Sequence, residues 1–271
     1  MSSAVVLALL VAVVADPGGS LPATEAQTGV AEVPPFLPTG DPAARLAAVD
    51  ARFASLDTLR YGVLRTTHRR GVHPQERWRH AMRHDGAFRV DYSGDTQRVL
   101  ACDGHVLWDY VPAVHKARRV RLDALEPDER RRILEAALGK VAVPGFRTGV
   151  EAAGMTWTWE APPAGAPTGA ALATGTDETG GRITILIAED DRILSSEVRR
   201  EGRFVLSVEA SDHREVAPGL LLPTRIAVTA PDEGGSVRVD IHILQPEVGE
   251  PLPDPLFTLD LDPSVRVEHV P

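Results

Sequence analysis

Residues 76–121 read ERWRHAMRHDGAFRVDYSGDTQRVLACDGHVLWDYVPAVHKARRVR. The run alternates almost throughout. Trp78, His80 and Met82 fall on one parity, with Arg77, Arg79 and Arg83 on the other. Phe88, Val90 and Tyr92 oppose Arg89 and Asp91, and Val106, Trp108 and Tyr110 oppose His105 and Asp109. A two-residue period sends alternate side chains to opposite faces of a strand, so each segment has one buried and one wet face. The breaks are turn chemistry: Asp85-Gly86, Ser93-Gly94-Asp95 and Asp103-Gly104. Asp-Gly is a strong short hairpin signal. The stretch predicts an antiparallel meander whose apolar face carries large side chains.

Upstream, Asp41-Pro42 pairs a cap residue with a proline at the first helical position. Leu46, Val49, Phe53, Leu56 and Leu59 then repeat at helical spacing, predicting an amphipathic helix that ends near Arg60. Tyr61 to Thr67 reads as the first strand and His68 to Pro74 as its turn. Before position 41, Ala4 to Ala15 is an apolar run of twelve residues, short of the roughly 20 that a spanning helix needs. With small residues at Val13 and Ala15, it reads as a signal peptide over 1–15, followed by a disordered Pro/Gly/Ala/Thr linker over 16–40 and one domain over 41–271.

Downstream, Glu126-Pro127-Asp128-Glu129 opens a second helix carrying Ile133, Leu134, Ala137 and Leu138, and Gly139 closes it. Met155 to Glu160 is a strand with Trp157 and Trp159 on one parity. Ala161 to Gly181 is low in complexity and reads as a weakly ordered loop. The last third returns to period two. Ile183, Ile185 and Ile187, then Phe204, Leu206 and Val208, then Ile226 and Val228, and finally Val237, Val239, Ile241 and Ile243 mark inward positions. The fold class is α+β: about ten or eleven strands in a large antiparallel sheet, too broad to stay flat and so strongly curved, with helices covering its concave face.

A chain of 271 residues, 43% of them hydrophobic, can bury one substantial core. Its net charge of −9 argues against a general nucleic-acid binder. Residues 60–121 nevertheless hold 13 Lys/Arg against 6 Asp/Glu. That segment is either a solvated outer face or a docking surface for an acidic partner or anionic headgroups. Cys102 is the sole cysteine, so no intramolecular disulfide exists, and its apolar neighbours make it a small buried hydrophobe.

Catalytic signatures are missing from the sequence: no Gly-x-Ser-x-Gly elbow, no phosphate-binding glycine loop and no paired-cysteine metal site. His80 and His84 lie four apart, which on a strand separates them by roughly 13 Å, too far to share an ion. Glu189-Asp190-Asp191 reads as a solvated turn. No catalytic residue, metal or cofactor is expected. The concave apolar face either encloses a greasy cavity of the kind that takes acyl chains or is a fully packed core.

Two segments carry a resemblance. Gly86-Ala-Phe-Arg-Val-Asp-Tyr92, followed by Asp103-Gly-His-Val-Leu-Trp-Asp-Tyr-Val-Pro112, resembles the hairpin signature of the LolA/LolB lipoprotein-carrier superfamily. Gly219-Leu-Leu-Leu-Pro-Thr-Arg-Ile226 and Pro253-Asp-Pro-Leu-Phe-Thr258 are similar to its C-terminal part. The likeness runs from about Asp41 to the end. It implies an unclosed barrel with helices as a lid, binding acyl chains, and a periplasmic carrier that localises lipoproteins to the outer membrane. Its partners would be acylated lipoproteins or free lipids, with membrane-anchored donor or acceptor proteins, and the carrier would be a monomer. An RseB-like envelope sensor or interaction module on the same fold is the alternative. The family's lid-locking arginine would align near Arg83-His84, where His84 takes its place and Asp85 replaces the proline.

The expected cavity lining is Phe53, Trp78, Met82, Phe88, Val90, Tyr92, Leu100, Val106, Trp108, Tyr110, Ile185, Phe204, Leu206, Ile226, Val239 and Ile241, with Ile133, Leu134 and Leu138 on the lid.

Overall fold

A computed structural model describes residues 38–94, 97–138, 155–233 and 235–270. The expected signal peptide and nearly all of the expected linker lie outside the described residues, as does Gly139.

Helix α1 spans Pro42–Ala54. Asp41 caps it by accepting a hydrogen bond from the Ala43 amide at 3.0 Å, satisfying a donor that the first turn leaves free. The helix stops earlier than its apolar spacing predicts. The Ser55 amide bonds back to the Ala51 carbonyl, and the chain is extended again by Thr58. Leu59 therefore belongs to a strand, where it sits opposite Met82. Helix α2 spans Pro127–Leu138, with Asp128 and Glu129 in its first turn.

Fourteen strands form one sheet among the described residues. The first meander is β1 (Thr58–His68), β2 (Gln75–Arg83), β3 (Phe88–Ser93), β4 (Arg98–Cys102), β5 (Val106–Val111) and β6 (Lys116–Arg121). The second is β7 (Thr156–Glu160), β8 (Ala171–Thr176), β9 (Arg182–Ile187), β10 (Ile193–Arg200), β11 (Arg203–Ala217), β12 (Leu220–Asp232) and β13 (Gly235–Val248). Antiparallel pairing of β1 with β13 joins the two meanders. A short terminal strand, β14 (Arg266–Val270), pairs parallel with β6. The sheet is thus mixed rather than purely antiparallel. It is curved and open, with β14 and β7 as its edges.

β8 corrects the expectation of a loop over Ala161 to Gly181. Small residues lower sequence complexity, but here they serve packing: a Cβ at Gly175 would meet the Trp157 ring at 2.9 Å. A flat strand of Ala171, Ala173 and Gly175 leaves room for the two tryptophans of β7, which sit directly opposite on the same face. Where β1 meets β13 the register slips between Arg60 and Gly62, a bulge that bends the junction.

The core lies on the sheet's inner face. Its main cluster joins Leu59, Tyr61, Val63, Trp78, Phe88, Val90, Leu100, Leu107 and Val120 to Leu206, Val208, Ile226, Val228, Val239, Ile241 and Ile243. A second cluster is Leu46 and Val49 of α1 on Ala171, Ala173, Ile185, Ile187 and Ile193. The outer face is covered along β2 and β3 by the segment after β13. There Leu252 and Phe257 pack on Ala81 and Ala87.

Candidate functional site

The inner face of β1–β5 can be read level by level from the strand register, because residues directly opposite share a face. At one end stand Leu59, Met82, Phe88, Cys102 and Leu107. The next level is Tyr61, His80, Val90, Leu100 and Asp109. Then come Val63, Trp78, Tyr92 and Arg98, and beyond them Arg65 and Glu76. The face is apolar at the first level and becomes charged along the strands.

Those charges are paired. Arg98 grips Asp109 with two parallel hydrogen bonds, Nε to Oδ1 and NH2 to Oδ2, each 2.7 Å. This fork geometry is the strongest form of the ion pair, and the hydrogen bond from Arg98 to Asp109 raises the arginine pKa. Arg65 Nε lies 3.4 Å from Glu76 Oε2. Tyr92 stands among all four groups. Burial raises its hydroxyl pKa, with the Arg98 charge acting in opposition. The polar end of the face therefore carries charge without net sign.

Between the apolar and charged ends sits a buried polar pair. The Tyr61 hydroxyl and His80 Nδ1 are 2.7 Å apart, with their rings edge to face at 5.1 Å. Burial pushes the His80 pKa down to about 4, so the ring is neutral at physiological pH.

α2 covers the apolar end. Ile133, Leu134 and Ala137 pack on the main cluster, and Arg130 donates to the Gly104 carbonyl at 2.9 Å. The Leu138 side chain lies outside the described residues. α1 instead closes the other half of the inner face, over β7 to β10.

Most of the expected lining residues meet on this surface. Trp78, Phe88, Val90, Leu100, Leu206, Ile226, Val239 and Ile241 are buried in the main cluster, with Met82, Tyr92 and Phe53 half-buried against it. Ile185 is on the same face but sealed beneath α1. Phe204 is half-buried near the end of β11, opposite Arg199.

Val106, Trp108 and Tyr110 are a correction: they occupy the outer face. The Asp103-Gly104 turn places Leu107 opposite Cys102 and Val120, and those two face inward. Trp108 consequently points outward, 5.6 Å below the Arg119 guanidinium. β5 carries hydrophobic residues on both parities, and a single-residue shift of parity exchanges the two faces. The turn register, not the bulk of the side chains, decides which is inside.

Arg83, near the position aligned with the family's lid lock, also faces outward. It bonds Asp85, Asp254 and the Leu252 carbonyl, and lies 4.8 Å over the Phe257 ring. It holds the C-terminal strap, not α2. The basic excess of this region is largely neutralised locally, as in Arg60 with Glu247, Arg69 with Asp232 and Arg89 with Asp91. Cys102 is buried and its thiol pKa is pushed up to about 11, chiefly by burial, which leaves it unreactive.

No protein-family model and no curated protein matches the sequence. Solved structures do match the fold. The chain is similar to a LolA superfamily protein from Nitrosomonas europaea at 15% identity and a TM-score of 0.51, covering 80% of this chain and 96% of that one. The chain has the LolA/LolB-like fold. A DUF1329 family protein from Desulfovibrio piger is similar at 14% identity and a TM-score of 0.55, covering 81% and 98%. A Vibrio parahaemolyticus domain described as outer membrane lipoprotein-sorting is similar at 10% identity and a TM-score of 0.54, covering 79% and 95%. In this LolA-like fold, the outward Trp108 and the strap-holding Arg83 mark where the sequence motif and the residue geometry part.

Proposed function

We propose that this protein is a non-catalytic lipid or lipoprotein carrier of the cell envelope, and that it binds acyl chains between α2 and the inner face of β1–β5. The observation that supports this reading is the gradient of that face. It runs from Leu59, Phe88 and Leu107 under α2 to the balanced pairs Arg98–Asp109 and Arg65–Glu76. An amphiphile has the same profile, with chains that gain about 25 cal/mol per Å² of apolar area removed from water and a head that needs polar partners. The cover supports it too. None of the described residues of α2 is fully buried, so displacing the helix draws no sealed side chain of its own described residues into water. The outward Arg83 distinguishes this cover from one locked by an arginine at that position.

The test is native mass spectrometry of protein purified from an envelope fraction, followed by organic extraction. Stoichiometric bound lipid or acylated peptide is expected. A clean apo mass, together with no uptake of a fluorescent fatty-acid probe, overturns the proposal and favours a packed scaffold acting as an interaction module.

A further inference from the structure

Four polar atoms on this face have no hydrogen-bond partner among the described residues: Arg65 Nε, which lies 3.4 Å from Glu76 Oε2 in an ion pair, and the uncharged Trp78 Nε1, His80 Nε2 and Tyr92 Oη. Trp78 is 2% exposed and His80 6%, so water does not satisfy them from outside. Leaving a buried donor unpaired forfeits its hydration without replacement, and native structures seldom tolerate several together without a reason. The three uncharged groups are neighbours. Trp78 and His80 are alternate residues of β2 on one face, and Tyr92 sits opposite Trp78 with ring centroids 5.8 Å apart.

Their chemistry is shared. The indole nitrogen can only donate. Tyr61 Oη and His80 Nδ1 share a hydrogen bond at 2.7 Å, and in the tautomer where the hydroxyl donates, Nε2 carries the ring proton and is a second donor. The Tyr92 hydroxyl supplies a third. A ligand that satisfies them must bring acceptor oxygens into an apolar surface. It should bring no net charge, because both nearby arginines already face a carboxylate.

We propose that Trp78, His80 and Tyr92 form a donor set for the ester carbonyls of a diacylglyceryl group. The fatty chains lie toward Phe88 and Leu100, and the glycerol lies toward the Arg98–Asp109 pair. This rests on the inner face being an acyl-chain site. The same ester chemistry occurs in free diacylglycerol and in the lipid anchor of a lipoprotein.

The test compares dioleoylglycerol, its dioleyl ether analogue, oleic acid and a diacylglyceryl-cysteine lipopeptide, each displacing a fluorescent acyl probe from the full chain. The ether keeps the hydrocarbon and removes only the carbonyls. The ester should bind at least about tenfold more tightly than the ether, the equivalent of one or two net hydrogen bonds, and more tightly than oleic acid. Tyr92→Phe and Trp78→Phe should narrow the ester-to-ether ratio. The lipopeptide distinguishes the sources: tighter binding than dioleoylglycerol assigns a protein-linked anchor, and equal binding assigns free lipid. Equal binding of ester and ether overturns the donor set while leaving acyl binding standing. If nothing displaces the probe, or the probe itself does not bind, both readings fall.

Discussion

The two halves of the inner face are closed in different ways. Over β7–β10, α1 is fastened by its own side chains. Leu46 is 0% and Val49 4% exposed. Arg45 reaches Asp191 at 2.8 Å and the Ala188 carbonyl at 2.9 Å, and Trp159 donates to the Gly40 carbonyl at 2.9 Å. Small residues on β8 let helix, tryptophans and isoleucines close against one another. Over β1–β6, the described side chains of α2 are half-buried or exposed, and the surface beneath it grows steadily more polar. The first half has the construction of a permanent core and the second that of a covered surface. One sheet supports both because each strand face can be filled or left polar independently of its neighbours.

The largest expected effect lies in the first half. Leu46→Ala should cost about 3 kcal/mol by removing a fully buried side chain from a site with little room to collapse. It would be read as a lowered urea midpoint, with acyl-probe affinity unchanged in the folded protein. A loss of probe binding at full folding would erase the distinction between the halves.

Acid should act through the second half. Burial holds the His80 pKa near 4, below the usual 6.5. The unfolded chain therefore takes up a proton between those values that the native ring does not. Stability should fall as pH drops from about 6.5 toward 4, by on the order of a few kcal/mol for this group. His80→Phe should flatten that part of the pH–stability curve, and an unchanged slope would place the sensitivity elsewhere.

A smaller effect is expected for the cover itself. Leu134→Ala should cost about 1 kcal/mol, well under Leu46→Ala, because the side chain is only half-buried. It should also speed release of a bound probe in stopped-flow measurements. A cost equal to that of Leu46→Ala would make α2 a core helix. The smallest change is expected at Trp108→Ala. Its ring lies outside under Arg119, so stability should shift by about 1 kcal/mol or less and probe affinity should hold. A drop in affinity would return Trp108 to the inner face.

The turns and alternation of residues 76–121 made the meander legible before any coordinates, because Asp-Gly and period two are local physics. The cap at Asp41-Pro42 was legible for the same reason. β8 was not, since Ala171, Ala173 and Gly175 carry no hydrophobic signal until two tryptophans are placed across from them. β14 was hidden similarly, its partner β6 lying far away in sequence. The donor set could not be found from spacing alone. Trp78 and Tyr92 read as large lining residues, and only the register and the absence of partners among the described residues distinguish them.

By itself, the sequence determined that this chain forms strands with one apolar face, where most hairpins turn, and which residues on β1–β4 accompany one another. Tertiary structure alone decided that β5 turns Leu107 inward and Trp108 outward, that Arg83 secures the strap, and that α1 seals while α2 covers. The physical reason is range. Propensity and period act over a few residues, whereas the choice of face depends on a partner strand's register, and the tightness of a helix depends on groups brought in from more than a hundred residues away.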